Sequence, residues 1–353
     1  MMKNYVHGGD IYRNPSVLDF SANINPLGTP SSVLQAAAEG LQLIAHYPDA
    51  HQEKLKEALS LYEEVPTDWL ICGNGAAELI FLLAQALQPK KALLPAPTFA
   101  EYEQALRSVG CEICYEFLKE ENGFVPQESI LERLTEDMDF FVLCNPNNPT
   151  GLLVEQGLAD RILETCRTNH ICLLADECFL DFVDEGEALS FKNKLISGDT
   201  VFLLKAFTKR YAMAGLRLGY GICPDRALLD AMEFRVQPWN ISIPAQMAGI
   251  AALKEEQYVR RSMDLISKEK EYLRKELQDL GCLVYDSRAN YLFFKGESDL
   301  GQKLLKEKIM IRDCSNYPGL SEGYYRIAVK LPDENRKLVE TMKRVGCGNI
   351  CER

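Results

Sequence analysis

The sequence predicts an α/β protein in which a mostly parallel seven-stranded sheet lies between helices, followed by a smaller α/β domain. Three observations predict it. Short, continuously apolar runs alternate with helix-length stretches from residue 69 to residue 222, as strands buried on both faces require. Polar motifs rich in glycine, proline or asparagine follow five of those runs, at the strand ends where open α/β sheets bind ligands. After about Gln237 the texture changes to a long charged helix and a second strand–helix set.

Taken in order, residues 1–30 read as a turn-rich arm, with Ser31 or Ser32 capping a helix that runs to about residue 43. A helix over 51–64 follows, with Tyr47-Pro48-Asp49 between the two. Strands are expected at 69–72, 92–95, 111–117, 140–144, 171–175, 201–204 and 218–222. Helices are expected at 76–87, 99–109, 127–134 and 154–168. Pro238 to Ser242 leads into a helix over 244–253 and a charged helix over 255–280. Strands at 282–285, 291–295, 310–313 and 324–329 and helices at 299–308 and 333–344 complete the chain, with a frayed tail. The expected division is an arm (1–40) belonging to the small domain, a large domain (41–243) and a small domain with its linking helix (244–353).

A net charge of −12 over 353 residues argues against nucleic acid or a polyanionic membrane as partner. No apolar segment resembles a signal peptide or reaches membrane-spanning length, so a cytoplasmic protein is expected. The twelve cysteines are scattered, several within apolar runs (Cys72, Cys144, Cys172). Cys111-x-x-Cys114 has neither a second pair nor a histidine near it in sequence, so thiols in a reducing compartment are expected and no metal site.

The motifs carry the chemistry. Lys209 lies in a polar loop after an apolar run, with Arg217 close behind. Partial burial and a neighbouring cation would lower the lysine's pKa, so that its amine could attack an aldehyde. The arginine would offer a forked donor set to a phosphate. Alone, the stretch reads better as a surface loop with two solvated cations, since lysines and arginines are common in loops. Gly73-Asn74-Gly75-Ala76 opens a helix and exposes backbone N–H groups to an anion, or forms a turn capped by Asn74. Phe99 could lie over a planar ring or merely pack a helix start. Asn145 to Gly151 builds a rigid loop, with Asn148 held extended by Pro149. Asp176, at a buried strand end, needs a partner: a protonated pyridine nitrogen, a capped helix or an ion pair. Together at successive strand ends, these motifs point to one site.

Asn-Asn-Pro-Thr-Gly, the strand-end Asp-Glu, Thr-Lys and Gly-Leu-Arg-x-Gly resemble the fold-type-I pyridoxal-phosphate enzymes, specifically the class I/II aminotransferase group, along essentially the whole chain. The resemblance implies pyridoxal 5'-phosphate on Lys209, Asp176 on its pyridinium nitrogen, Asn148 on its ring hydroxyl and Phe99 stacked on the ring. Gly75, Ala76, Thr208 and Arg217 would hold the phosphate. Tyr47 would reach the partner subunit's cofactor phosphate in a homodimer, and Arg326 would grip the substrate carboxylate.

Two subfamilies share these motifs. His7-Gly8-Gly9, the stretch from Asp19 to Gly28, Ala289 to Leu292, Ile311 to Leu320, and Phe179 in place of a tyrosine resemble the threonine-phosphate decarboxylases of cobalamin synthesis rather than the histidinol-phosphate aminotransferases. A small phosphorylated amino acid is therefore the implied substrate, with Arg312, His7 and Lys330 as candidates for its phosphate and Asn25 and Asn148 as further substrate contacts. A binding protein that kept the fold is the third reading, disfavoured by intact Lys209 and Asp176. One departure stands out: Ala206 replaces a serine or threonine that contacts the cofactor phosphate, and Lys205 an arginine, which implies weaker cofactor affinity.

Overall fold

A computed structural model describes residues 7–346. Its strands are β1 (Leu18–Asp19), β2 (Leu70–Gly73), β3 (Lys91–Ala96), β4 (Glu112–Phe117), β5 (Phe140–Cys144), β6 (Cys172–Asp176) and β7 (Val201–Ala206). They continue with β8 (Gly219–Ile222), β9 (Leu283–Val284), β10 (Tyr291–Lys295), β11 (Ile309–Met310), β12 (Arg312–Asp313) and β13 (Tyr324–Ala328). The α-helices are α1 (Ser31–Leu41), α2 (Glu53–Glu63), α3 (Ala76–Leu87), α4 (Ala100–Ser108), α5 (Gln156–Thr168) and α6 (Gly186–Leu189). After them come α7 (Phe207–Arg210), α8 (Arg226–Glu233), α9 (Ile243–Ala252), α10 (Glu256–Asp279), α11 (Leu300–Lys306) and α12 (Pro332–Val345).

The large sheet has seven strands in the order β2-β8-β7-β6-β5-β3-β4, all parallel except β8, which runs against both of its neighbours. Alternate residues of one strand feed two cores. Phe141, Leu173 and Leu203 belong to one side of the sheet, and Val142, Leu174 and Leu204 to the other. That is why these runs are apolar without a break, each such side chain contributing about 2 kcal/mol on burial.

The smaller sheet is antiparallel, β12-β13-β10-β9, and β1 pairs with β11 beside it. Of the arm, Leu18 to Phe20 packs on this smaller core, whereas α1 leans on α9 and sends Val33 into the core of the large sheet. α9 contributes Ala245, Ala248 and Ala252 to that same large core. The long helix α10 spans the two units, with Tyr258 in the large core and Ile266, Leu273 and Leu277 in the small one.

Several expectations are corrected. The stretch expected as a helix over 127–134 is a 3-10 helix, Glu128–Arg133, too short between Pro126 and the turn at Thr135 to settle into α geometry. Neither Ser31 nor Ser32 caps α1: its N-cap position is Pro30, and the Ser32 hydroxyl donates to Glu255 instead. Asn74 does not cap α3, whose N-cap position is Gly75; the Asn74 amide donates to the Asn240 carbonyl at 3.0 Å. The strand expected over 310–313 breaks into β11 and β12, which pair with different partners. None of the described cysteines is in a disulfide, and the tail beyond Gly346 lies outside the described residues. Among the described residues, no helix is long and apolar enough to cross a membrane.

Candidate active site

At the carboxyl ends of the large sheet's parallel strands lies a cavity of about 250 Å³ that reaches to the smaller sheet. β6 delivers Asp176 to its floor. The carboxylate accepts from the Tyr102 hydroxyl through Oδ2 (2.5 Å) and from the Cys178 N–H through Oδ1 (2.9 Å). Burial nonetheless pushes its pKa above the ordinary carboxylate range. A cationic N–H placed against it would reverse that penalty.

β7 delivers Lys209 on the single turn of α7. Burial lowers its amine, with Arg326 and then Arg217 adding to the effect, to about 8. A substantial fraction of the amine is thus free base in neutral to mildly alkaline solution, as a nucleophile requires. Thr208 and Ala206 also line the cavity. Lys205 does not stand in for a missing phosphate donor, because successive strand residues point to opposite faces: its Nζ lies 3.0 Å from Glu63 Oε1, away from the cavity.

The loop after β5 is locked by its own amides. Asn145 Oδ1 accepts from the Val154 N–H (2.9 Å), and Asn147 donates to the Pro97 carbonyl (2.9 Å) and accepts from Thr98 (3.0 Å). Asn148 is thereby presented to the cavity, where its Oδ1 accepts from Arg326 Nη1. Arg326 projects from β13, donates also to the Ser21 carbonyl (2.8 Å), and lies over the Tyr291 ring at 5.4 Å. Its cross-strand partner on β12 is Arg312, which lines the same cavity, donates to Asn316 (2.8 Å) and stacks over Tyr317 at 5.0 Å.

Gly75 has φ +81°, and a Cβ there would lie 2.3 Å from Arg217 Nη2, so the guanidinium occupies space only glycine leaves open. Ala76, at the start of α3, and Arg217 both line the cavity. So does Phe99, whose ring meets Tyr102 edge-on at 5.6 Å. His7 lines it too, with Nδ1 3.0 Å from Glu101 Oε1.

Three predicted residues lie elsewhere. Asn25 is spent on structure: its amide donates to the Arg210 carbonyl (2.8 Å), its Oδ1 accepts from the Leu27 N–H (3.1 Å), and Asn23 lines the cavity in its stead. Lys330 sits between Phe20 and Glu334, away from the cavity lining. Tyr47 is exposed outside the cavity, stacked on Trp239 at 4.3 Å. Sequence reasoning gave no role to Tyr102 or Glu101, although both stand in the first turn after a strand-end motif, where side chains face the ligand side.

The model of the family described as aminotransferase class I and II matches residues 15–342. The chain belongs to that family. A threonine-phosphate decarboxylase from Salmonella typhimurium is 40% identical, with 98% of each chain covered. A putative threonine-phosphate decarboxylase from Caldanaerobacter subterraneus is 35% identical over 97% of this chain and 94% of that one. Among solved structures, a histidinol-phosphate aminotransferase from Clostridium acetobutylicum superposes with a TM-score of 0.86 at 31% identity, covering 92% of this chain and 98% of the other. As a class I and II aminotransferase-family enzyme the chain takes pyridoxal phosphate, and its residues fit that group. The α3 start, Thr208 and Arg217, packed against Gly75, would suit a phosphate, and the buried Asp176 carboxylate would suit a pyridinium.

Proposed function

We propose that the protein decarboxylates L-threonine O-3-phosphate to (R)-1-amino-2-propanol O-2-phosphate, a precursor of the cobalamin nucleotide loop. The observation that carries this reading is the pairing of Arg312 with Arg326. Both are buried, directly opposed on neighbouring antiparallel strands, and in the cavity that holds Lys209. Glu101 offsets part of that charge from the Arg312 side, and two cations so placed favour further anions. A small amino acid carrying a carboxylate and a phosphate supplies two. The 40% identity to the Salmonella threonine-phosphate decarboxylase supports the same substrate.

Bound pyridoxal phosphate supplies the electron sink for the bond broken at the substrate's Cα. The protein's residues do the rest. Arg326, its guanidinium fixed by Asn148 and the Ser21 carbonyl, orients the carboxylate that departs as carbon dioxide. Lys209, titrating near 8, can return a proton to Cα. Asp176 holds the proton on the pyridine nitrogen. Phe179 packs edge-on against Tyr291 at 5.0 Å and, being phenylalanine, offers no hydroxyl to the cofactor ring. Arg312, with His7 beside Glu101, takes the phosphate end.

We place the enzyme in the cytoplasm as a homodimer, with exposed Tyr47 reaching the other subunit's cofactor. The test is a product assay on the pyridoxal-phosphate-loaded enzyme. Threonine phosphate should yield carbon dioxide and aminopropanol phosphate. Glutamate formed from 2-oxoglutarate with histidinol phosphate, without carbon dioxide from threonine phosphate, would overturn the proposal in favour of an aminotransferase.

A further inference from the structure

Among the described residues that line the cavity, two carry carboxylates, Asp176 and Glu101. Asp176 has a task; Glu101 does not, and a carboxylate is a costly neighbour for an anionic substrate. Glu101 stands in the first turn of α4 and faces His7, Lys209 and Arg312. Its Oε1 is 3.0 Å from His7 Nδ1, and its buried Oε2 has no hydrogen-bond partner among the described residues. Burial raises its pKa, opposed first by His7 and then by Lys209 and Arg312.

The arm carrying His7 is anchored just behind it. The Gly9 N–H donates to Ser21 Oγ at 2.7 Å. Gly8 lies so close to the same residue that a Cβ would stand 2.3 Å from the Ser21 carbonyl oxygen. That oxygen accepts from Arg326. The arm and the carboxylate-binding arginine therefore share one anchor, and the His7–Glu101 contact ties the arm to the opposite wall.

We infer that Glu101 is a positioning residue: it holds His7 through Nδ1 and so turns the opposite ring edge, with Nε2, toward the phosphate of the substrate. A carboxylate on Nδ1 fixes the orientation of the ring. This rests on the reading that the substrate is phosphorylated, but not on which bond at Cα is broken.

The experiment compares four holoenzymes: wild type, Glu101→Gln, His7→Ala and the double variant. Isopropyl phosphate, which lacks an amine and cannot react, is titrated into each by calorimetry. Glu101→Gln and His7→Ala should each weaken binding about tenfold, as loss of a charge-assisted hydrogen bond does. The double variant should bind no worse than His7→Ala alone, because Glu101 acts through His7. Turnover of threonine phosphate by Glu101→Gln should show a raised KM with kcat nearly unchanged. Unaltered binding in Glu101→Gln, losses that multiply in the double variant, no binding by the wild type, or a fall in kcat at constant KM would each overturn the inference. Carbon dioxide release by the wild type tests the reaction separately, so either result can fail alone.

Discussion

Arg326 Nη1 donates to the side-chain oxygen of Asn148, joining the smaller sheet to the loop after β5 across the cavity. The same guanidinium donates to the Ser21 carbonyl at 2.8 Å, so three distant segments meet on one side chain. Arg326→Lys keeps the charge but loses the fork that reaches both acceptors. We expect kcat/KM for threonine phosphate to fall about a hundredfold, mostly through KM, with the cofactor still bound. Steady-state kinetics together with the visible absorbance of the bound cofactor would check this, and a loss below threefold would contradict it.

Lys209 makes a prediction about pH. Its amine titrates near 8 because burial and two arginines disfavour the ammonium. The rate at which the apoprotein captures pyridoxal phosphate should therefore rise with pH, reach half its maximum near 8 and then level off. Arg326→Met removes a depressing cation and should move that midpoint upward. Stopped-flow absorbance across a pH series measures both, and a midpoint unmoved by the substitution would refute the assigned cause.

Ala206 leaves the cavity wall without the hydroxyl that the family resemblance leads one to expect, while Lys205 is committed to Glu63. Ala206→Ser should return a donor to the phosphate. We expect the cofactor to bind about fivefold more tightly, the gain of one modest hydrogen bond. Equilibrium dialysis would decide it; unchanged or weaker binding would mean that the phosphate is already saturated by its other donors.

The Glu63 cluster predicts acid lability away from the active site. Burial would raise the Glu63 carboxyl, but Lys205, the Tyr220 hydroxyl and Lys192 overcome burial and hold it below the usual range. A depressed folded-state pKa contributes stability above the unfolded carboxylate's value, and that stability is lost as pH falls through the folded one. Lys205→Met should remove about 3 kcal/mol at neutral pH by leaving a buried carboxylate under-compensated, and less at acid pH. Urea denaturation at the two pH values tests this; an equal loss at both would exclude the linkage.

Much of the fold was legible because the large sheet is buried on both faces, so its strands stand out as unbroken apolar runs such as Phe140–Cys144. The site was legible for a related reason. Strand ends that face a ligand carry residues no core would choose, such as Asn148, Asp176 and Lys209. What escaped was made by tertiary contact. β1 has two residues, too few to show a period, and exists only because β11 lies beside it. Asn25 and Asn23 look alike in sequence, but the turn sends one to the Arg210 carbonyl and the other to the cavity. Tyr102 reads as one more helical aromatic until its hydroxyl is found on Asp176.

The reversed direction of β8 has a consequence for the molecule's resilience. Running against its neighbours, it returns the chain so that Arg217, just before it, stands over Gly75 at the start of α3. The phosphate site read from these residues would therefore draw on segments more than a hundred residues apart, and none of them could hold the group alone. Pyridoxal phosphate held there would act as a clasp between remote parts of the chain. Cells short of the cofactor would then carry enzyme that is idle and also more readily unfolded and degraded, because a ligand that binds only the folded state adds its binding free energy to stability.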